Sequence, residues 1–278
     1  MGQMIQDSGW RIPDGLWEQM VPLLPPRPSH PLGCHNPRVP DRAAMDAIFF
    51  VLRTGCQWGA LSATGICSKS SAHRRFTEWV EAGVFHEFWR QGLLSYDGLV
   101  GIDWEWLSAD GAMTKAPLGG EKNRPQPTDR GKLGTKRSVV TDARGVPVGF
   151  AVAGAHVPDY KLLEATLDAM PVQRPEALLD RALNLCLDKG YDYDGPRQIA
   201  YDYNLTAHIR CRGEESRTLP DDPNHKPRRW VVERVHSWIN RFRPLLIRWE
   251  KKPENMRLCS SSPVASSLGS RPTYWDRL

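Results

Sequence analysis

Three acidic side chains stand where a hydrolytic metal site could be assembled. Asp110 closes the alternating stretch WEWLSAD (104–110), Asp188 closes the short apolar run LNLCLD (183–188), and Glu233 lies in RRWVVERVHSWINRF (228–242), whose apolar residues recur at helical period. They are separated by 78 and 45 residues. Two aspartates at the ends of neighbouring strands, with a glutamate added from a helix packed on the sheet, would repel one another when ionised and so require cations near neutral pH. An all-oxygen donor set suits Mg2+ or Mn2+. Two such ions about 4 Å apart activate a water or hydroxyl and stabilise the departing oxygen in phosphodiester chemistry, which makes DNA the expected substrate. Each aspartate taken singly would equally serve to cap a turn or the following helix.

The last helix arranges its polar residues in order. Arg229, Glu233, His236, Ser237 and Asn240 share one face, and Val232, Val235, Ile239 and Phe242 supply another. Arg234, Arg241 and Arg248 form a heptad-spaced stripe suited to phosphates, or to water. Lys115, Lys122, Arg124, Arg130, Lys132, Lys136 and Arg137 lie in or beside the glycine- and proline-rich stretch 117–135, which reads as a flexible loop able to close on backbone phosphates. Asp129, in Thr-Asp-Arg-Gly, reads as a turn residue rather than a catalytic acid.

The elements that must position these residues fall into two kinds. Before residue 100 the periods are helical: Asp14–Leu24 capped by Asp14, a helix capped by Asp41 and closed by Gly55, SKSSAHRRFTEWVEAG opening on serines, then VFHEFWRQGLL. Two of these helices across a short glycine-containing connection resemble a helix-turn-helix, with Lys69, Ser70, Ser71, His73, Arg74 and Arg75 at the start of the reading helix. Small helical bundles show the same pattern. After residue 100 the period turns to two. WEWLSAD, KRSVVTD (136–142) and VPVGFAV (146–152), the last two joined by Ala143-Arg144-Gly145, are followed by a helix capped by Asp159, the run LNLCLD, a helix near 195–203, the strand LTAHIRC (205–211) and the final helix. That order predicts an α/β protein with a mixed sheet between helices.

The 278 residues carry a net charge of +5, with twelve basic against six acidic residues between Arg210 and Lys252. Such an excess attracts a polyanion, although a solvated basic face has the same composition. Six cysteines without CxxC pairs support neither a zinc ribbon nor a disulfide framework. Neither a membrane-spanning apolar run nor a secretory start is present, so a cytoplasmic protein, nucleoid-associated when bound to DNA, is expected.

The motifs SADGAMTKAP, PTDRGKLGTKRSVVTDARGVPVGFAVAGAHVPD (127–159), LDKGYDYDG and RRWVVERVHSWINRFRPLLIRWE resemble, in order, the landmarks of the DDE transposases of bacterial insertion sequences, in the group typified by insertion sequence five. The resemblance implies a ribonuclease H-like mixed sheet flanked by helices, preceded by an all-helical, helix-turn-helix-like domain. Domains are expected at 1–99, 100–252 and 253–278. Asp110, Asp188 and Glu233 become the metal-binding triad for two Mg2+ or Mn2+ ions, with Arg229 and Asn240 as its helix partners. The commoner family pattern has tyrosine and a basic residue where this chain has Lys226 and Asn240. The implied partners are double-stranded DNA, as the element's terminal inverted repeats and as target, and a second copy of the chain; no membrane and no nucleotide cofactor is implied. A protein that binds element ends without cutting is the alternative, and a metal nuclease unrelated to transposition a third. After Glu250 the family's apolar continuation gives way to a serine-rich tail, as a frameshift near Asn255 would produce.

Overall fold

The computed structural model describes residues 9–26, 38–127, 129–176, 182–209, 229–248 and 251–252, with Arg229 and Pro244 described by their backbone alone. The linker from 210 to 228, Lys226 and the serine-rich tail from 253 lie outside the described residues.

Four helices come first. In α1 (Asp14–Met20) and α2 (Asp41–Thr54) the cap positions are held by Pro13 and Pro40, so Asp14 and Asp41 are the first helical residues rather than the caps. Proline fixes the entry angle there, and the carboxylates still complement the helix dipole. α2 ends at Gly55 in the left-handed region, as expected, with Ala44, Ile48, Val51 and Leu52 buried. α3 (Lys69–Glu81) is capped by Ser68, whose Oγ accepts from the Ser71 amide at 3.3 Å. The α2–α3 connection is not the short turn expected: it runs from 55 to 68 and holds a 3-10 helix, Trp58–Ala63. α4 (Val84–Leu99) completes the group.

The sheet that follows has the order expected of a ribonuclease H-like fold. β1 (Trp106–Lys115) pairs antiparallel with β3 (Leu133–Thr141), which pairs antiparallel with β4 (Pro147–Gly154). On the other side of β1, β5 (Asn184–Leu187) and β6 (Thr206–Ile209) run parallel to it. A short β2 (Arg124–Pro125) joins the start of β3. β1 does not end at Asp110: Gly111 and Ala112 break the bulky-residue alternation, yet pairing with β3 continues to Lys115–Gly134, leaving Asp110 fifth of ten residues.

Helices cover both faces. Asp159–Leu162 is a 3-10 turn entered through Pro158 rather than capped by Asp159, and it leads into α5 (Leu163–Asp168). The Thr166 hydroxyl donates to Ser138 Oγ at 2.8 Å, fixing α5 to one face of β3. α6 is Asp194–Asp202. α7 (Arg229–Ile239) and α8 (Arg243–Leu246) pack on the opposite face, where Arg137, one residue from Ser138 and so turned the other way, reaches Asn240 and Leu245. One contiguous apolar core runs from Ile12, Phe76 and Trp79 through Tyr96 and Trp104 to Leu107, Val139, Val235 and Trp238. The change at residue 99 is therefore a change of element type within continuous packing. Among the described residues no helix is long and apolar enough to cross a membrane.

Candidate active site

The register of β1 on β5 brings two of the three predicted acids together. Ser108 is paired with Cys186, and paired residues of parallel strands face the same way. Two residues further along each chain stand Asp110, still within β1, and Asp188, just past the end of β5, so the register sets both at the same end of adjacent strands. Both are partly exposed, Asp110 with 23% of its side chain open to solvent. Asp188 also caps the 3-10 turn Lys189–Tyr191, its Oδ1 accepting from the Gly190 amide at 2.7 Å.

A third observation shows charge converging at this point. Tyr191, the last residue of that turn, is fully buried, and its hydroxyl is held well above the usual phenol range by burial and then by the negative charges of Asp159, Asp110 and Asp188. Asp159, expected as a helix cap, instead lays its carboxylate against β1 at Gly111 and meets Lys136 Nζ at 3.1 Å. Neither Asp159 nor Tyr191 was recognisable as a site residue in sequence, except that a glycine directly after Asp110 signals a close neighbour.

α7 supplies the other wall. His236 Nε2 donates to the Asp110 carbonyl at 3.3 Å and stands 3.9 Å from Oδ2. Burial, reinforced by the charge of Arg137, lowers the imidazole to about 3, so it is a neutral donor rather than an ion-pair partner. Glu233 lies one helical turn before His236 and is exposed. Among the described residues no three His, Cys, Asp or Glu side chains are grouped closely enough to hold a metal ion, so Glu233 does not join the aspartates in this conformation. Arg229 begins the helix. Asn240 falls just past its end and accepts from Arg137 Nη2 at 2.5 Å, while Arg137 Nη1 donates to the Leu245 carbonyl at 2.8 Å. Arg137 is 2% exposed, and burial lowers it to about 10.

The residues expected to meet DNA divide by exposure. Lys69, Ser70, His73 and Arg74 are exposed at the start of α3, and Ser71 is partly so. Arg75 is a correction: at 4% exposure it is spent on Asp41 and Glu78, because the inner face of α3 packs on α2. Lys115, Arg130 and Lys132 are exposed, with Asp129 3.5 Å from Lys115 and 3.7 Å from Lys132. Lys136 is a second correction, 7% exposed and paired with Asp159. Arg241 is exposed, and Arg234 is partly buried over the Trp230 ring, donating to the Arg144 carbonyl at 3.1 Å. Arg248 leaves that stripe altogether: it is 1% exposed and clamps the Glu121 and Lys251 carbonyls and the Thr135 hydroxyl. The stretch 117–135 is accordingly pinned rather than loose. Gln126 is buried against Gly134, Asn123 Nδ2 donates to the Ala116 carbonyl, and Gly120 lies against Lys251.

Residues 12–89 match the family described as transposases of the IS4/5 family, and residues 105–259 match the transposase DDE domain. A Burkholderia cepacia protein assigned as the transposase for insertion sequence element IS402 is 34% identical over 145 residues, which cover 49% of this chain and 63% of that protein. The chain thus spans less than two thirds of that curated relative. An uncharacterized 16.2 kDa protein of insertion element IS402, from the same organism, is 33% identical over 113 residues, covering 40% of this chain and 77% of its own length. Among solved structures, a piggyBac transposase synaptic complex with hairpin DNA is similar over 93% of this chain and 71% of its own, at 10% identity and a TM-score of 0.46. The catalytic domain of Mos1 mariner transposase is similar over 67% of this chain and 94% of its own, at 11% identity and a TM-score of 0.29. With the DDE domain matched over more than half of its length, the chain belongs to the DDE transposases of the IS4/5 family.

Proposed function

We propose that the chain binds the terminal inverted repeats of its own insertion sequence and cleaves and transfers DNA strands there, with Asp110, Asp188 and Glu233 holding two divalent cations, Mg2+ or Mn2+. The observation that carries this reading is the β1–β5 register, which sets Asp110 in β1 level with Asp188 just past the end of β5, in a chain of this family. The donor set fits hard cations: the aspartates offer oxygen only, and three negative charges converge around Tyr191 with the neutral His236 as the nearby imidazole. When bound, the cations supply activation of the attacking water or 3′-hydroxyl and stabilisation of charge on the leaving oxygen.

The protein's own part is positioning. His236 holds the Asp110 peptide from the α7 side, and the Gly190 amide orients Asp188. Arg137 ties the end of α7 to the sheet through Asn240, which leaves the beginning of that helix, with Arg229 and Glu233, as the part that closes on the aspartates. Arg229, one turn from Glu233, steadies that carboxylate or takes a phosphate by a bidentate contact. Lys115, Arg130, Lys132 and Arg241, with the exposed side chains of α3, meet backbone phosphates.

The test is incubation of the full-length protein with DNA carrying the element ends and Mg2+. End-dependent nicks bearing a 3′-hydroxyl are expected, with Asp188→Ala retaining binding and losing nicking. Binding without nicking by the unaltered chain would favour an end-binding protein instead, a reading to which the separation of Glu233 from the aspartates lends weight. Cleavage indifferent to the repeats would point to an unrelated nuclease.

A further inference from the structure

Asp110 is followed by a residue with no side chain, and that absence is filled. A Cβ built on Gly111 would sit 1.7 Å from Asp159 Oδ1 and 2.6 Å from Asp159 Cγ, so the carboxylate occupies the volume a side chain would take. Gly111 lies in regular β1, paired with Ser138, and it is space rather than backbone conformation that demands glycine here. Asp159 is held there by Lys136, whose Nζ is 3.1 Å from both carboxylate oxygens and whose side chain is 9% exposed. Lys136 stands on β3 opposite Met113, two residues beyond Gly111 on the same face, and the next contact along, Thr166 to Ser138, fixes the helix that Asp159 leads into. On the other face His236 grips the Asp110 carbonyl. The Asp110–Gly111 peptide is therefore held from both sides, at the point where a glycine would otherwise leave the strand loosest.

We propose that Asp159 and Lys136 are positioning residues for the Asp110 carboxylate. Asp159 acts as the missing side chain of Gly111, and Lys136 supplies the counter-charge that holds that carboxylate against the strand. This is an outer support of the kind that sets metal affinity without contacting the metal. The inference rests on the proposed role of Asp110 as a cation ligand, and its test separates the two.

The experiment uses the full chain with Asp159→Asn, which keeps the shape, and Lys136→Met, which removes the charge. It measures amide hydrogen exchange along β1 together with Mn2+ binding by calorimetry, with Asp188→Ala as the control for the cation site. In both variants the amides of residues 110–112 are expected to exchange faster while β4 and β6 are unchanged, and Mn2+ affinity to fall about tenfold. Unaltered exchange in β1, acceleration spread evenly over the sheet, or local acceleration with Mn2+ affinity within twofold of the unaltered chain would each overturn the proposal. Should Lys136→Met fail to fold, Asp159→Asn alone decides. If the unaltered chain takes no Mn2+, the proposed function fails, and the β1 exchange pattern still decides whether the pair holds Asp110.

Discussion

At the scale of single residues, burial decides what a charge does. Asp142 is fully buried, and its carboxylate accepts from the amides of Asp103, Arg144 and Val146, yet burial still raises it to about 6. Its folded value lies above the unfolded one, so its stabilising contribution is complete below about pH 4 and is lost as pH rises through 6. Replacement by asparagine removes the titration. The difference in unfolding free energy between Asp142→Asn and the unaltered chain, measured in urea, is expected to move in the variant's favour by about 3 kcal/mol from pH 4 to pH 8. Gly111→Ala forces Asp159 off the strand and is expected to cost about 1–3 kcal/mol in the same measurement. Asp188 and Glu233 could be picked out from sequence because a strand end and a helical period are local patterns, whereas Asp110 is singled out by a strand end that the structure moves to Lys115. The fates of Arg75 and Lys136 could not, since whether an arginine or lysine meets solvent or a buried carboxylate depends on the element packed over it.

Among elements, the long-range joints carry the most information. Gly55 ends α2 with φ +66° and lies where a Cβ would stand 2.3 Å from Arg243 Cβ, so the first helical group and α8 meet backbone to backbone there. Gly55→Ala combines left-handed strain with this clash and is expected to cost about 2 kcal/mol or more, seen as a lowered Tm. The same joints explain which elements could be read from the chain. β3 and β4 are short apolar runs buried on both faces, and α7 keeps a helical apolar period, so all three are visible in local sequence. β1 runs five residues past its expected end, because its second half is a strand by pairing rather than by side-chain pattern. The 117–135 stretch has the composition of a loop, and it is ordered by Arg248 and Gln126, contacts that no local pattern announces.

For the whole molecule, the net charge of +5 matters through where its exposed part lies. Lys69, His73 and Arg74 present side chains to solvent on α3, whereas Arg75 beside them is buried. Replacing the three exposed residues by alanine is expected to weaken DNA binding at every salt concentration and to reduce the slope of log K against log salt by about 2, with Tm unchanged. Arg75→Ala is expected to lower Tm and leave that slope alone. The order of strands and helices is legible along the chain because it follows from periods, and that order allows the pairing of β1 with β5 that the structure has. Whether Glu233 meets the two aspartates does not, being set by how α7 sits over the sheet. The most direct measurement is therefore a crystal structure of the chain with element-end DNA and Mn2+, read by the anomalous signal of the metal. Two manganese peaks ligated by Asp110, Asp188 and Glu233, with the start of α7 drawn toward β1, are expected. Manganese bound elsewhere, or Glu233 still apart from both aspartates with cleavable DNA in place, would contradict the assignment.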